Sequence, residues 1–201
     1  MFDYRLYLIT DGKPDLLPRV REALQGGVTV VQYREKKKPY LEMIAEANQL
    51  KKLCHEFGVP LIINDYVGIA KTIEADGLHL GQSDTEYEEA RAMLGPDFPI
   101  GISARTVEEA KIAEANGASY IGVGALFPTG SKADAKVLDM GTVREIEASV
   151  SIPTLLIGGI SSETLPKINA KYDGLCVISG ILGVENIRAA AEGLLCHFQK
   201  A

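Results

Sequence analysis

PLIINDYVGIAKTIEADGLHLGQSD, residues 60–84, decides how the chain is read. A short apolar run, Pro60–Asn64, stops at the polar pair Asn64-Asp65. A linking segment follows and ends at Asp76-Gly77. A second apolar run, Gly77–Leu80, then stops at Gly81-Gln82-Ser83-Asp84. Short apolar runs bounded by polar turns are the mark of strands buried on both faces, as in parallel sheets. Asp-Gly just before the second run is a helix-stop signal. This stretch is therefore one strand–helix–strand unit.

The rhythm continues in both directions. Strands are predicted at Leu6–Thr10, Val28–Tyr33, Pro60–Asn64, Gly77–Leu80, Ile100–Ser103, Tyr120–Gly124, Thr154–Ile157 and Gly174–Ile178. Helical spacing links Leu16, Val20 and Leu24, and places Leu41, Ile44, Leu53 and Phe57 mostly along one stripe. Thr106-Val107-Glu108-Glu109 is a capping-box pattern opening a helix to Asn116. A last helix is expected from Ile181 to about Phe198. Strands alternating with helices through the whole chain imply a parallel sheet. The expectation is an α/β protein, a single TIM-type (β/α)8 barrel domain over residues 1–201. An open doubly wound sheet is the alternative. It would carry a G-x-G-x-x-G turn after its first strand, where this chain has ITDGKPD.

Composition narrows the function. Acidic residues outnumber basic ones, 27 to 21, which argues against nucleic acid or an anionic membrane as partner. It leaves room for a small phosphorylated ligand, which needs only a local pocket of positive charge. Cys54, Cys176 and Cys196 are odd in number and lack CxxC spacing, so a disulfide framework or zinc site is not indicated. No signal peptide or membrane-spanning run is visible, and a cytoplasmic location is expected. A homo-oligomer is left open.

In such a barrel, reactive side chains sit at the C-terminal ends of strands. Strand alternation puts Gln32, Arg34 and Lys36 on one face, aimed at the barrel top, although Lys36-Lys37-Lys38 is also a plain charge run. Asn64 and Asp65 end the third strand, and Asp84 lies just past the fourth. Two carboxylates on neighbouring strands beside two cations suit Mg²⁺ holding a phosphate; each Asp singly also suits a helix cap. Ser103 ends the fifth strand, and Thr129, Ser131 and Lys132 give hydroxyl and ammonium donors in a loop long enough to form a lid. Gly158, Gly159, Ile178, Ser179 and Gly180 follow strands seven and eight, where barrels often hold phosphate on backbone amides; tight glycine packing is the plainer reading. His79, between two leucines in the fourth strand, is taken as structural.

YLITD, GVTVVQYREK, PLIINDYVGIA, ADGLHLGQSD, YIGVGALFPTGSKADA and IGGI…DGLCVISGI, in this order, resemble thiamine-phosphate synthases over nearly the whole chain. The resemblance implies that Gln32, Arg34 and Lys36 hold a pyrimidine diphosphate, that Asn64 joins them, and that Asp65 and Asp84 bind Mg²⁺. It makes Ser103 a diphosphate- or pyrimidine-side contact and Thr129, Ser131 and Lys132 the P-T-x-T-K loop. It assigns Gly159, Ile178 and Ser179 to a thiazole phosphate. Arg34, Lys36, Lys132 and Ser103 would carry the catalysis. The chain departs from the family pattern at Tyr66, Gly68, Ser131 and Arg105, the last standing where many members have His. Two rivals remain: a thiazole tautomerase, which would want an acid–base His near the fifth strand, and a non-catalytic phosphate-binding barrel.

Overall fold

Leu6 lies opposite Leu175, so the last strand pairs with the first and the sheet has no edge. This computed structural model describes residues 2–82, 87–130 and 136–199. The eight parallel strands run in chain order: β1 (Leu6–Ile9), β2 (Val30–Tyr33), β3 (Leu61–Asn64), β4 (Gly77–Leu80), β5 (Ile100–Ala104), β6 (Tyr120–Gly124), β7 (Thr154–Ile157) and β8 (Gly174–Val177). Each predicted strand is present, some trimmed at an end. Closure excludes the open sheet.

Period-2 alternation sorts the strand residues into two cores. Leu6 and Leu8 of β1 face outward into a large apolar layer under the helices. Tyr7 and Ile9 face inward, with Val30, Ile62, Tyr120, Leu155 and Cys176. The inner space is shared unevenly. A Cβ on Gly101 would sit 2.0 Å from the ring of Tyr120, so glycine on β5 is what lets a tyrosine from β6 fill the barrel. The Tyr4 ring packs 4.8 Å from Tyr120 and closes the lower end.

The helices are α1 (Leu16–Gln25), α2 (Tyr40–Glu56), α3 (Val67–Thr72), α4 (Tyr87–Leu94), α5 (Val107–Ala115), α6 (Met140–Ala148), α7 (Ser179–Leu182) and α8 (Ile187–Leu195). The α1 stripe is as expected: Leu16, Val20 and Leu24 are buried. The α2 stripe holds only in part: Leu53 is buried and Ile44 packs on the core. Leu41 is 77% exposed and Phe57 37% exposed, and the buried face is Met43, Ala47, Leu50, Leu53 and Cys54. Small Ala47 and Cys54, two turns apart at i and i+7, lie on the face turned to the strands. Thr106 caps α5 by accepting the Glu109 amide at 3.1 Å, and the Glu109 carboxylate reaches back to the Arg105 amide at 2.6 Å.

Two expectations about the last units need correction. Among the described residues, the β7–β8 connection holds a 3₁₀ turn, Leu165–Lys167, in place of an α-helix. Pro166 sits in its first turn, a position proline tolerates. The expected closing helix is broken into α7 and α8, followed by a 3₁₀ turn at Cys196–Gln199. Gly183 ends α7, and the Asn186 side chain accepts the Ala189 amide at 3.0 Å to begin α8. A cap of this kind contributes about 1 kcal/mol. Among the described residues, no helix is long and apolar enough to cross a membrane.

Candidate active site

The C-terminal strand ends surround a cavity of about 560 Å³. Gln32, Arg34 and Lys36 all line it, as one-face alternation along β2 and its exit requires. Two buried groups hold that exit in shape. The Thr10 hydroxyl accepts the Arg34 amide at 2.8 Å and donates to the Arg34 carbonyl at 3.1 Å. The buried Glu35 carboxylate accepts the amides of Lys36 and Lys37, both at 2.7 Å. Among the described residues the Arg34 guanidinium forms no salt bridge.

Asn64 and Asp65 follow at the end of β3 and also line the cavity. Asp65 adopts φ 64°, the left-handed region that non-glycine residues enter at a cost of about 1–3 kcal/mol. Its amide donates to the His79 carbonyl at 2.9 Å, tying the β3 exit to β4. Its carboxylate does not cap α3, whose N-cap is Tyr66. It is ion-paired with the Lys36 ammonium instead.

His79 is not a bystander. The same alternation that turns Leu78 and Leu80 outward turns His79 inward, where it lines the cavity. Its Nε2 is 3.0 Å from the Ser103 Oγ, and its Nδ1 is 3.1 Å from the Tyr120 hydroxyl. The Tyr120 and Tyr7 hydroxyls are 2.8 Å apart, and the Gln32 amide donates to Tyr7 at 2.9 Å. Burial pushes both phenols well above their ordinary pKa of 10.0, so they stay protonated. Tyr7 and His79, which line the cavity, and Tyr120 beneath them were not among the expected site residues; their inward parity within predicted strands was the signal that marked them.

Ser103 and Arg105 lie two apart at the end of β5, and both reach the cavity. Among the described residues Arg105, like Arg34, makes no salt bridge. Asp65 and Glu109 also line the cavity, but neither forms a salt bridge with these arginines; arginines so placed suit an anionic ligand, because a poorly solvated charge needs a counter-charge. Thr129, Gly159, Ile178 and Ser179 line the opposite side. Gly159 has φ 65°, and a Cβ there would meet the Phe127 Cβ at 2.7 Å, so only glycine fits this turn. Ser179 opens α7, where the first amides have no partner within the helix. Asp84, Ser131 and Lys132 lie outside the described residues. Among the described residues no group of three His, Cys, Asp or Glu side chains suits a metal ion.

Fold and cavity together define a (β/α)8-barrel protein with a cationic, glycine-edged pocket of the kind that takes phosphorylated ligands. The profile of the thiamine monophosphate synthase family matches residues 6–181. The chain is 47% identical over 195 residues to a thiamine-phosphate synthase of Clostridium acetobutylicum, covering 94% of this chain and 92% of that one. It is 44% identical over 201 residues to one of Methanobrevibacter smithii, covering 98% and 96%. Among solved structures, thiamine phosphate pyrophosphorylase from Pyrococcus furiosus superposes with a TM-score of 0.88 at 38% identity, covering 98% and 96%. The chain belongs to the thiamine-phosphate synthase family. The two sequence relatives carry the synthase name and the solved structure the pyrophosphorylase name, and neither rival reading gains support from them.

Proposed function

We propose that the chain is a Mg²⁺-dependent transferase that joins hydroxymethylpyrimidine diphosphate to thiazole phosphate, giving thiamine phosphate and diphosphate. The observation that carries this reading is the gathering of Arg34, Lys36 and Asp65, from adjacent strand ends, around one cavity edged by Gly159 and Ser179.

The diphosphate is assigned to Arg34 and Lys36, with Gln32, Asn64 and Ser103 beside them; the thiazole phosphate to Gly159, Ile178 and Ser179; and the loop contacts to Thr129, Ser131 and Lys132. Arg105 adds a further cation on the diphosphate side. The donor set fits a hard divalent cation: the Asp65 carboxylate faces the cavity beside the Asn64 amide and already accepts a positive charge from Lys36. Asp65 and Asp84 would hold the ion, with phosphate oxygens and water completing the shell. When bound, Mg²⁺ neutralises charge on the diphosphate oxygens.

The aminopyrimidine stabilises a cation at its methylene carbon, so the carbon–oxygen bond to diphosphate breaks first. Arg34, Lys36 and Lys132 offset the charge that builds on the departing group. The thiazole nitrogen then captures the methylene carbon. The residues hold the two substrates in line, and the Thr129–Lys132 loop keeps water from the cation. Bond formation needs no general base.

The test mixes purified protein with both substrates and Mg²⁺ and follows thiamine phosphate, with and without a chelator. Product that disappears with chelator supports the reading; binding of thiazole phosphate without any product would overturn it.

A further inference from the structure

A chain of hydrogen bonds crosses the barrel interior: Gln32 on β2, Tyr7 on β1, Tyr120 on β6, His79 on β4 and Ser103 on β5. Four of these side chains line the cavity, and Tyr120 lies beneath them, out of ligand reach. We infer that Tyr120 is a positioning residue: its hydroxyl donates to His79 Nδ1, which fixes the imidazole as the Nε2–H tautomer and turns the Ser103 hydroxyl proton toward the ligand.

The direction follows from counting protons. The Gln32 amide donates to the Tyr7 oxygen. Among the described residues the Tyr7 hydroxyl has two partners, Gln32 and Tyr120. Its own proton must therefore go to Tyr120, because a fully buried O–H with no acceptor is costly. Tyr120 then accepts from Tyr7 and has its own proton left for His79 Nδ1 at 3.1 Å. An imidazole that accepts at Nδ1 carries its proton on Nε2. That proton goes to Ser103 Oγ at 3.0 Å. Ser103 has accepted, so its proton is free to meet an acceptor atom in the cavity, a ring nitrogen or a phosphate oxygen.

With Gln32 Nε2 facing Tyr7, the reverse direction fails at one point. If Tyr120 donated to Tyr7, the Tyr7 proton would have no partner, His79 would carry its proton on Nδ1, and Ser103 would be an acceptor toward the ligand. The two arrangements select ligands of opposite polarity at Ser103. The geometry is also fixed by packing. The imidazole stacks on the Tyr120 ring at 5.6 Å and 27°.

The ligand side of this inference rests on the proposed synthase activity; the tautomer does not. Long-range ¹H–¹⁵N spectra of histidine-labelled protein, with His79 assigned from a His79→Gln sample, read the tautomer directly. The expected result is a protonated Nε2 and a bare Nδ1. A protonated Nδ1 in the unsubstituted protein overturns the inference whatever any variant does. Tyr120→Phe should abolish the tautomer preference. It should also raise KM for the pyrimidine diphosphate about tenfold, the loss of about one hydrogen bond. KM for thiazole phosphate should not move. Unchanged tautomer and KM in Tyr120→Phe would equally overturn it. Absence of thiamine phosphate from the unsubstituted protein would sink the synthase reading alone, leaving the spectra to decide the tautomer.

Discussion

The Lys36 ammonium and the Asp65 carboxylate are ion-paired across the exits of β2 and β3. One group is assigned to the diphosphate and the other to the metal, yet without ligands they neutralise each other. Under the proposed roles, binding of the diphosphate by Lys36 and of Mg²⁺ by Asp65 would compete with this pairing. Lys36→Ala and Asp65→Ala are each expected to lower turnover by about 10²-fold or more, the size typical of a lost group that stabilises developing charge. Lys132→Ala should do the same. Thermal unfolding should move little for Lys36→Ala, since its side chain is 46% exposed. Near-normal turnover in both Asp65→Ala and Lys132→Ala would remove the assigned roles.

Arg105 faces the cavity with no salt bridge among the described residues. Arg105→Ala should raise KM for the pyrimidine diphosphate about tenfold, with thiazole phosphate unaffected. Arg105→His should fall between. Steady-state kinetics varying one substrate at a time separate the two effects.

Gly101→Ala places a methyl group into the Tyr120 ring, with 2.0 Å between the Cβ and a ring carbon. Both residues are deep in the barrel, so neither has room to yield. The expected cost is about 1–3 kcal/mol, visible as a lower urea midpoint with an unchanged slope. A midpoint equal to that of the parent protein would show that the ring can move aside.

Burial pushes the Cys54 thiol up to about 12, with Asp76 adding to the shift, and burial raises Cys176 as well. Both stay protonated at pH 8 and react poorly. Cys196 is exposed. Iodoacetamide at pH 8 should modify one thiol quickly in the native protein and all three in urea. Rapid native labelling of Cys54, located by peptide mapping, would contradict its burial.

Burial pushes the Asp11 carboxyl up, but its hydrogen bonds with Arg19 and the Lys13 amide outweigh this and hold it below its ordinary 3.8. A depressed carboxylate stabilises the fold above its unfolded value and loses that contribution as pH falls through the folded value. Unfolding stability should therefore drop on acidification below about 3.8. Arg19 also donates to the Leu182 carbonyl at 2.7 Å, so Arg19→Ala should weaken both the acid dependence and the docking of α1 on α7. A pH–stability curve unchanged in Arg19→Ala would rule this out.

Much of the site could be read along the chain because strand parity is local. Once Val28–Tyr33 is a strand, Gln32, Arg34 and Lys36 must share a face, and all three line the cavity. Asn64, Asp65 and Ser103 were read from strand exits, Thr129 from the loop after β6, and Gly159, Ile178 and Ser179 from the turns after β7 and β8, and all of them line the cavity. His79 was misjudged because flanking leucines look the same whether a strand residue packs inward against protein or against a cavity. The α2 stripe failed for a related reason. Leu41 and Phe57 are more hydrophobic than Ala47 and Cys54, but close packing against strands favours the smaller pair.

The sequence alone settled the order of the eight strands and the polar residues at each strand end, since period and punctuation act over a few neighbouring residues. Only the closed barrel decided that Lys36 meets Asp65, and that Gln32, Tyr7, Tyr120, His79 and Ser103 form one line of hydrogen bonds. Those meetings depend on the register of eight strands and on the space that Gly101 leaves inside them. Such long-range quantities exist only once β8 has come round to pair with β1.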